Sequence, residues 1–378
     1  MNKKFGIYIH IPFCEKKCNY CNFPSSAKKN QLIGKYFSAL KKEIITTAPL
    51  TENISVSTIY IGGGTPSCVS NSDLVNILST VKNNYNIEKD AEITVECNPS
   101  STTKEFAEIM LESGVNRFSI GIQSLNDNEL KTLGRLHNSI RAITAYEILR
   151  TAGAKNISTD VIVGIPYQSK TSFKNTLRLI TEELLPEHIS IYSLSVEPGT
   201  PFARKKTKLD FPSEDVVADW FSFAENFLFK HKYAKYEISN FARIGFESQH
   251  NKIYWDTDSD YLGFGAASHS FCELSSKRKK LRFRNIKSIE KYIARIESNR
   301  NHRFFSMPLN LKKQIGEKIY LGLRMTSGIQ LTSNEIKLFD NEIAEQIKLG
   351  LIKKTKNHKI ALTKRGMQIA NTVMQNFV

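Results

Sequence analysis

Three cysteines with the spacing C-x3-C-x2-C lie near the start of the chain, at Cys14, Cys18 and Cys21. Soft thiolates are the usual ligands of iron–sulfur clusters, and a 4Fe–4S cluster normally takes four of them. Three thiolates would leave one iron open, and an open metal position is where a cofactor or substrate binds. A zinc site completed by a distant histidine or a further cysteine is an alternative, and chance clustering is another. The spacing alone does not decide between iron–sulfur and zinc.

The remaining cysteines, Cys68, Cys97 and Cys272, are expected to be small buried side chains. Cys97 adjoins Glu96, which hints at a place near a bound cofactor. Six cysteines, three of them in one loop, do not form the disulfide framework of a secreted protein. We therefore expect a reducing compartment, the cytoplasm.

Polar residues and glycines also follow the β-branched runs of the chain. The second run ends in "GGGTPS", which contains Gly63, Gly64 and Thr65. The ends of parallel strands meet at one edge, so these residues and the polar residues of the next strands should share one mouth. The glycines would let the backbone approach a ligand, or would simply form a tight turn. The polar residues at the next strand ends, each with a structural hydrogen bond as its alternative role, are Glu96, Gln123 and Asp160.

The elements that must position these residues alternate between strand and helix. Six alternations over about 230 residues predict parallel βα units, and their number fits a partial (β/α)6 barrel or open sheet better than a closed barrel of eight. Gly114 and Gly153 are placed as helix C-terminal caps. The predicted strands are "GIYIHI", "STIYIGG", "AEITVE", "RFSIGIQ", "STDVIVG" and "HISIYSL".

The pattern divides the chain into three parts. Residues 1–235 form the predicted partial barrel, and residues 236–300 form an irregular connecting segment rich in aromatic and basic residues. The basic stretch 275–284 within it is expected to be a hairpin or loop. Residues 301–378 predict helix, helix, short hairpin and helix, the order of a small winged-helix-like domain. The fold class is therefore α/β with a mostly helical C-terminal domain.

The chain is strongly basic, with a net charge of +16. Such a charge suits an acidic redox protein, an anionic membrane surface or nucleic acid, although solvated lysines need no partner. No apolar run approaches the length that spans a bilayer, and no signal peptide is predicted, so we expect a soluble protein.

Several motifs together resemble the radical S-adenosylmethionine (radical SAM) superfamily, whose signature is the C-x3-C-x2-C loop. The motifs "YIHIPFC", "GGGTPS", "VECNPS", "GIQS" and "TDVIVGIP" have the order and rough spacing of the group similar to oxygen-independent coproporphyrinogen III oxidase. Downstream, "YEISNFA", "HNKIYW" and "GFGAASHS" resemble the haem chaperones related to that oxidase, with "GAASHS" in place of a more glycine-rich "GAGAHS". The resemblance covers nearly the whole chain and implies a partial (β/α)6 barrel.

This resemblance implies a 4Fe–4S cluster on Cys14, Cys18 and Cys21, with S-adenosylmethionine chelating the open iron. Each matching position then takes a role. Tyr8 and Tyr20 flank the cluster, Gly63, Gly64 and Thr65 approach the methionine moiety, Glu96 accepts from its ammonium, Arg135 pairs with its carboxylate, and Gln123 and Asp160 bind the ribose. For Arg135 the alternative is a solvated helix residue. His10 is expected to be a core histidine without a chemical role.

Phe23 occupies the position where the oxidase branch carries a fourth cysteine. That thiol is not a cluster ligand, so the cluster should still form. The resemblance therefore places the chain in the chaperone-like branch, in which decarboxylation of porphyrinogen is not expected. Whether the chain is an enzyme stays open at this point.

The motif "HNKIYW" places His250 beside Tyr254 and Trp255. Histidine is a common axial ligand of haem iron, and aromatic rings lie against porphyrin faces. From the residues alone a capping histidine with two core aromatics is the better interpretation, but the resemblance favours haem contact by a loop histidine. His269 in "ASHS" is a second candidate.

The leading hypothesis is a haem chaperone that carries a cluster and S-adenosylmethionine and delivers haem to acceptor proteins, expected to be respiratory proteins at the membrane. The first rival is a radical oxidase of coproporphyrinogen, against which Phe23 argues. The second is an RNA-modifying radical enzyme, suggested by the basic charge and the winged-helix-like tail. The C-terminal region lacks the interleaved aromatic and basic residues of an RNA-reading sheet, so no nucleic acid is expected.

Overall fold

The computed structural model describes residues 4–51, 54–273, 280–306, 309–355 and 359–378. The strands are β1 (Phe5–Ile11), β2 (Ser55–Gly63), β3 (Asn86–Cys97), β4 (Arg117–Gln123), β5 (Ile157–Val163), β6 (His188–Ser193), β7 (Ala234–Lys235), β8 (Asn240–Ala242), β9 (Asp260–Phe264), β10 (His269–Glu273), β11 (Lys280–Asn285), β12 (Arg303–Phe305), β13 (Ile352–Lys354) and β14 (Ile360–Leu362).

Of the helices in the described part of the chain, six lie between consecutive strands from β1 to β6, and the others follow β6. The helices are α1 (Ile33–Thr47), α2 (Asn71–Asn84), α3 (Lys104–Glu112), α4 (Asp127–Leu133), α5 (Ser139–Thr151), α6 (Lys170–Leu179), α7 (Pro201–Arg204), α8 (Glu214–Lys230), α9 (Gln249–Trp255), α10 (Ile289–Glu297), α11 (Leu311–Gly322), α12 (Ser333–Leu338), α13 (Asp340–Lys348), α14 (Lys364–Gln368) and α15 (Ala370–Gln375).

The six predicted βα strands are confirmed as β1 to β6, which pair in chain order and in parallel. Their neighbours in one 12-stranded sheet run in the order β12-β11-β10-β9-β1-β2-β3-β4-β5-β6-β8-β7. The two edge strands of this sheet, β12 and β7, are not paired with each other among the described residues, so the barrel is partial. The polar residues at the ends of its parallel strands converge on one side. The predicted α/β class with a partial barrel is confirmed.

Local sequence explains where the helices of the barrel begin and end. The side chains of Thr103, Asn138 and Ser169 accept hydrogen bonds from backbone N–H groups in the first turns of α3, α5 and α6. Gly114 and Gly153 have positive φ just after α3 and α5, as expected of C-terminal caps. Buried Ile, Val, Leu and Phe side chains from the strands and helices form one large core.

The expectation of an irregular segment between residues 236 and 300 is wrong. Strand β9 pairs in parallel with β1, and β10, β11 and β12 continue the sheet in antiparallel order. These strands are short, and β9, the first of them, pairs with a strand about 255 residues earlier in the chain, so a local pattern did not reveal them. Of the basic stretch, residues 280–284 belong to β11, which forms a hairpin-like pair with β10, while residues 275–279 lie outside the described residues.

The C-terminal region has its own core, built from α11 to α15 and the β13–β14 hairpin. The order helix, helix, hairpin, helix matches the prediction, with α12 and α13 sharing the second position and α14 and α15 the last. Within the described part of the chain, no helix has the length and apolar character needed to cross a bilayer.

Candidate functional site

A cavity of about 420 Å³ opens at the C-terminal ends of the barrel strands. It brings together the three clustered cysteines and all but one of the residues predicted to contact S-adenosylmethionine. These lining residues are Cys14, Cys18, Cys21, Tyr20, Gly63, Gly64, Thr65, Glu96, Gln123, Arg135 and Asp160. Tyr8 is not among them, because its hydroxyl is directed to His10 Nδ1 at 2.9 Å.

Backbone hydrogen bonds fix the loop that carries the cysteines. The Cys14 N–H donates to the Ser26 carbonyl at 3.1 Å, and the Ser26 N–H donates to the Pro12 carbonyl at 2.8 Å. In the middle of the loop, the Asn19 N–H donates to the carbonyl of Leu133, the last residue of α4, at 2.9 Å. The loop is therefore held at its base and at its tip before any ligand binds.

His10, expected to be a core histidine without a chemical role, also supports this loop. Its Nε2 lies 2.8 Å from the Pro24 carbonyl, which only accepts, so Nε2 must carry the proton. Burial lowers the pKa of His10 to about 4, and the neutral ring then accepts from the Tyr8 hydroxyl at Nδ1. Tyr8 thus orients His10, and His10 holds the cysteine loop at Pro24.

The glycines after β2 are required by the packing of the protein itself. Gly63 has φ of +117°, and a Cβ there would strike the His10 ring. A Cβ on Gly64 would strike the carbonyl oxygen of Phe13, and the Gly64 N–H donates to the Ile11 carbonyl at 2.8 Å. The tight-turn alternative therefore explains both glycines, and their approach to the methionine moiety stays a prediction supported by their place on the cavity wall.

Glu96 accepts two hydrogen bonds at the end of β3. Its Oε1 receives the Tyr60 hydroxyl at 2.8 Å, and its Oε2 receives the Gly63 N–H at 2.9 Å. Burial nevertheless raises the pKa of Glu96 above its usual value. Two hydrogen bonds do not offset the burial, so a cation at this point of the cavity would stabilise the carboxylate.

Arg135 lies between α4 and α5, so its alternative role as a solvated helix residue is wrong. Its Nη2 donates to the Gly121 carbonyl at 2.6 Å, and its Nη1 lies 3.5 Å from Cys18 Sγ. Its Nε is buried and has no hydrogen-bond partner among the described residues. Gln123 ends β4 with φ of +69° at an irregularity in the β4–β5 register, which turns its side chain into the cavity.

Asp160 and Arg117 lie deeper in the cavity. Burial, together with the nearby charge of Glu96, raises the pKa of Asp160 to about 7, although Ser190, Arg117 and Arg135 oppose the rise. Arg117 is 2% exposed, and its Nε has no hydrogen-bond partner in the part of the chain that the structure describes. Arg117 is not among the residues predicted from the sequence, yet the period of two in "RFSIGIQ" places it on the same face as Gln123, and that signal could have identified it.

The residues fit the cofactors that the sequence predicted. Three thiolates come from one fixed loop, and the cavity offers carboxylates on β3 and β5 and the buried, unsatisfied Nε of Arg135 to a zwitterionic ligand. A cluster held there would supply one-electron transfer. Among the described residues, no three His, Cys, Asp or Glu side chains are grouped to hold a single metal ion. A 4Fe–4S cube differs from that case because each thiolate binds its own iron.

The other cysteines follow their prediction in part. Cys97 and Cys272 are buried, and Cys68 is half-buried. Cys97 lines the cavity, in agreement with its position beside Glu96. Phe23 also lines the cavity, and it is 63% exposed.

The expectation of a loop histidine at His250 is wrong. His250 lies in α9 and is 1% exposed. Its Nδ1 lies 2.7 Å from Thr58 Oγ1, its Nε2 lies 2.9 Å from the Tyr254 hydroxyl, and its ring stacks on Tyr60. Burial lowers the pKa of His250 to about 3. Both ring nitrogens therefore bond to side chains inside the protein. This agrees with the alternative interpretation of His250 as a structural core histidine, and haem contact by His250 stays a prediction.

Tyr254 and Trp255 line a second cavity of about 210 Å³ between α9 and the inner face of the sheet. Tyr261, Phe271 and Arg282, from β9, β10 and β11, also line it. The Trp255 Nε1–H is buried and has no acceptor among the described residues. His269, the second histidine candidate, lies exposed at the start of β10, two residues from Phe271.

A partial barrel of parallel strands with a three-cysteine loop at its mouth defines the class of this protein, and the comparisons agree. The model of the radical SAM superfamily matches residues 8–180. The protein named haem chaperone HemW from Lactococcus lactis is 33% identical to the chain, over 100% of this chain and 98% of the relative. The protein of the same name from Bacillus subtilis is also 33% identical, over 98% of each chain. The chain belongs to the HemW haem chaperone family of the radical SAM superfamily. A solved structure described as coproporphyrinogen III oxidase (HemN) from Escherichia coli, a radical SAM enzyme, has the same fold, with a TM-score of 0.84 and 23% identity over 99% of this chain and 90% of that one.

Membership in this superfamily implies a 4Fe–4S cluster and S-adenosylmethionine, and it favours iron–sulfur over zinc for the cysteine loop.

Proposed function

We propose that this chain is a haem chaperone that binds haem, holds a 4Fe–4S cluster and S-adenosylmethionine in the barrel cavity, and passes haem to acceptor haem proteins. The observation that carries the proposal is the similarity to proteins named haem chaperone along the entire chain, 33% identity over 100% of its length. Similarity confined to the barrel would support only the cofactor chemistry. Here it includes the C-terminal region and β9 to β12.

The cavity supports the cofactor part of the proposal. Cys14, Cys18 and Cys21 would ligate the cluster, and Glu96 would accept from the ammonium of S-adenosylmethionine, whose positive charge offsets the burial of that carboxylate. Arg135 has one buried nitrogen free for the carboxylate of the cofactor. Gln123 and Asp160 would bind the ribose hydroxyls, Gly63, Gly64 and Thr65 the methionine moiety, and Tyr20 would flank the cluster, with Tyr8 acting through His10.

The partners follow from charge and exposure. Lys16 and Lys17 line the cavity mouth, so an acidic electron-donor protein would meet positive charge beside the cluster. The net charge of +16 would also favour peripheral contact with an anionic membrane, where respiratory acceptors of haem reside, from a cytoplasmic location.

The proposal is tested with anaerobically purified and reconstituted protein. The wild type should show iron–sulfur absorbance, bind haem in a titration followed by the Soret band, and transfer it to an apo-haem protein. Replacement of Cys14, Cys18 or Cys21 by Ala should each abolish the cluster absorbance, because the cube loses one of its three ligands.

The matched control is Cys68→Ala, which removes a nearby thiol that is not a proposed ligand and should keep the cluster. A wild type that holds about one zinc and no labile sulfide would show that the cluster assignment is wrong. A wild type that holds the cluster but neither binds nor transfers haem would overturn the chaperone function.

A further inference from the structure

The histidines of the described residues differ in how far they are free to bind a ligand. His10, His137, His188 and His250 are buried, each with a hydrogen bond from its ring. His231 bonds the Phe227 carbonyl, and His302 pairs with Glu43. In the part of the chain that the structure describes, His269 is the histidine that is exposed and whose ring makes no hydrogen bond. A free imidazole nitrogen is what an incoming metal centre requires.

His269 belongs to a row of residues that crosses five strands on one face of the sheet. Tyr8 of β1 pairs with Gly263 of β9, and the register that pairs Phe271 with Tyr261 places His269 opposite Gly263. His269 pairs with Arg284, and Arg284 pairs with Phe304. Directly paired residues point to the same face, so the imidazole lies between an arginine on one side and a position without a side chain on the other.

This row carries unpaired positive charge beside aromatic surface. Neither Arg284 nor Lys287 forms an ion pair with any of the described residues, and Lys287 is exposed. The Arg284 guanidinium lies over the ring of Phe304, which is 51% exposed. Two cations without an ion-pair partner among the described residues, next to one exposed aromatic ring, suit a flat apolar ligand that carries two carboxylates.

The small cavity behind α9 continues this face. Phe271 and Arg282, which line it, pair with each other two residues along from His269 and Arg284. Arg282 Nη1 forms an ion pair with Glu317 Oε1 at 2.7 Å, so Arg282 contributes to the shape of the cavity more than to its charge. Trp255, whose buried indole N–H has no acceptor among the described residues, also lines this cavity.

We propose that haem docks on this face with His269 as its axial ligand and its propionates paired with Arg284 and Lys287. The inference rests on the proposed function and assigns the site of its cargo. Phe304 and Phe271 would contact the porphyrin, whose edge enters the cavity lined by Tyr254 and Trp255. His250 would then hold α9 in place behind the site and would not touch iron.

The electrostatics agree with this assignment. Partial burial and the positive charges of Arg284, Lys287 and Arg282 lower the pKa of His269, so its ring is neutral and its lone pair is available at neutral pH. Tyr8, at the other end of the row, contacts the ring of Tyr60, which lines the cofactor cavity. The haem face and the cofactor cavity are therefore neighbours joined by two aromatic side chains.

The test compares three histidine variants of the full chain, each checked for cluster absorbance and for its circular dichroism spectrum. His269→Ala should weaken haem binding at least tenfold and change the Soret and electron paramagnetic resonance spectra, and added imidazole should restore the spectra by taking the vacant axial position. The matched control His231→Ala, on the far end of α8, should bind haem like the wild type. His250→Ala should destabilise the fold yet keep the wild-type axial spectrum in the fraction that remains folded.

The charge of the site is tested separately. Lys287→Glu should weaken haem binding, whereas Lys337→Glu, an equal change of charge on exposed α12, should not. If the wild type binds haem and His269→Ala binds it equally well, this site is wrong but the chaperone function still holds. The same conclusion follows if folded His250→Ala loses the wild-type axial spectrum. A wild type that binds no haem at all would overturn the function and the site together.

Discussion

At the scale of single residues, the ionised carboxylate of Asp160 is destabilised by its burial in the cavity. Its pKa is raised to about 7, chiefly by burial. A carboxyl group with a raised pKa in the folded state stabilises the fold below its unfolded pKa, and this contribution is lost as the pH rises towards the folded pKa. In the protein without cofactors, Asp160 should therefore lower the free energy of unfolding progressively between about pH 4 and pH 7.

We predict that Asp160→Asn raises the free energy of unfolding above pH 7 by about 2 kcal/mol and changes it little near pH 4.5, since a neutral amide replaces the costly carboxylate. Urea denaturation of the cofactor-free protein across this range measures the difference. Asp219→Asn, on the exposed face of α8, is the control and should show no such pH dependence. Equal stability of Asp160→Asn and wild type at pH 8 would mean that Asp160 is solvated.

The residues that could be predicted from the sequence are those at strand ends. Glu96, Gln123 and Asp160 all reach the cavity, because a strand end in a parallel barrel has a defined place. The surroundings of a residue were harder to predict. The collision of a Gly63 Cβ with His10, and the engagement of both nitrogens of His250, depend on contacts between residues far apart in sequence. No local pattern reports such contacts.

At the scale of elements, one buried carboxylate joins the barrel to the strands that carry the proposed haem face. Glu43 of α1 is fully buried and accepts from the Gly265 N–H, the Asn285 amide and the Tyr292 hydroxyl, and it pairs with His302 at 2.9 Å. Burial alone would raise the pKa of Glu43, but its hydrogen bond to His302 and the charges of His302 and Arg303 lower it below the usual value. These contacts indicate that Glu43 has a structural role, which is to anchor α1 to the segments that contain Gly265, Asn285, Tyr292 and His302.

We predict that Glu43→Gln lowers the free energy of unfolding by about 3 kcal/mol, since the amide leaves buried donors unpaired and His302 without its charge partner. Chemical denaturation at pH 7 measures this loss, with Glu105→Gln on the exposed face of α3 as the control. Because the pKa of Glu43 is lowered, its contribution is present above the unfolded pKa and should be lost as the pH falls. A Glu43→Gln variant as stable as the control would contradict the anchor role.

The elements of the first half were predictable because each βα unit is local. A strand with buried faces, a capped helix and a glycine stop appear in sequence within about 40 residues. Strands β9 to β12 carry no such signal: β9 pairs with β1, about 255 residues earlier in the chain, and its neighbours are three to six residues long. Their regularity comes from the edge of the sheet that receives them, so the sequence predicted an irregular segment there.

At the scale of the whole molecule, the same fold serves proteins with different names. The chain matches the HemN structure with a TM-score of 0.84, and at 23% identity that likeness shows the fold alone. A shared barrel therefore does not argue for a shared reaction. The feature that separates the two hypotheses is local. Phe23 places an exposed apolar ring at the cavity mouth, where the oxidase-like pattern has a thiol.

We predict that the reconstituted and reduced protein does not convert coproporphyrinogen III to protoporphyrinogen IX, because no thiol is present at position 23 to take part at the mouth of the cavity. Phe23→Cys should leave the cluster absorbance intact and should not create the activity, because substrate contacts elsewhere in the cavity also differ between the two branches. The assay measures loss of the propionate carboxyl groups by product chromatography, with the Escherichia coli oxidase under the same electron donor as the positive control. Turnover by the wild type at a rate comparable to that control would overturn the chaperone proposal in favour of the oxidase, and turnover gained by Phe23→Cys alone would show that this one side chain separates the two reactions.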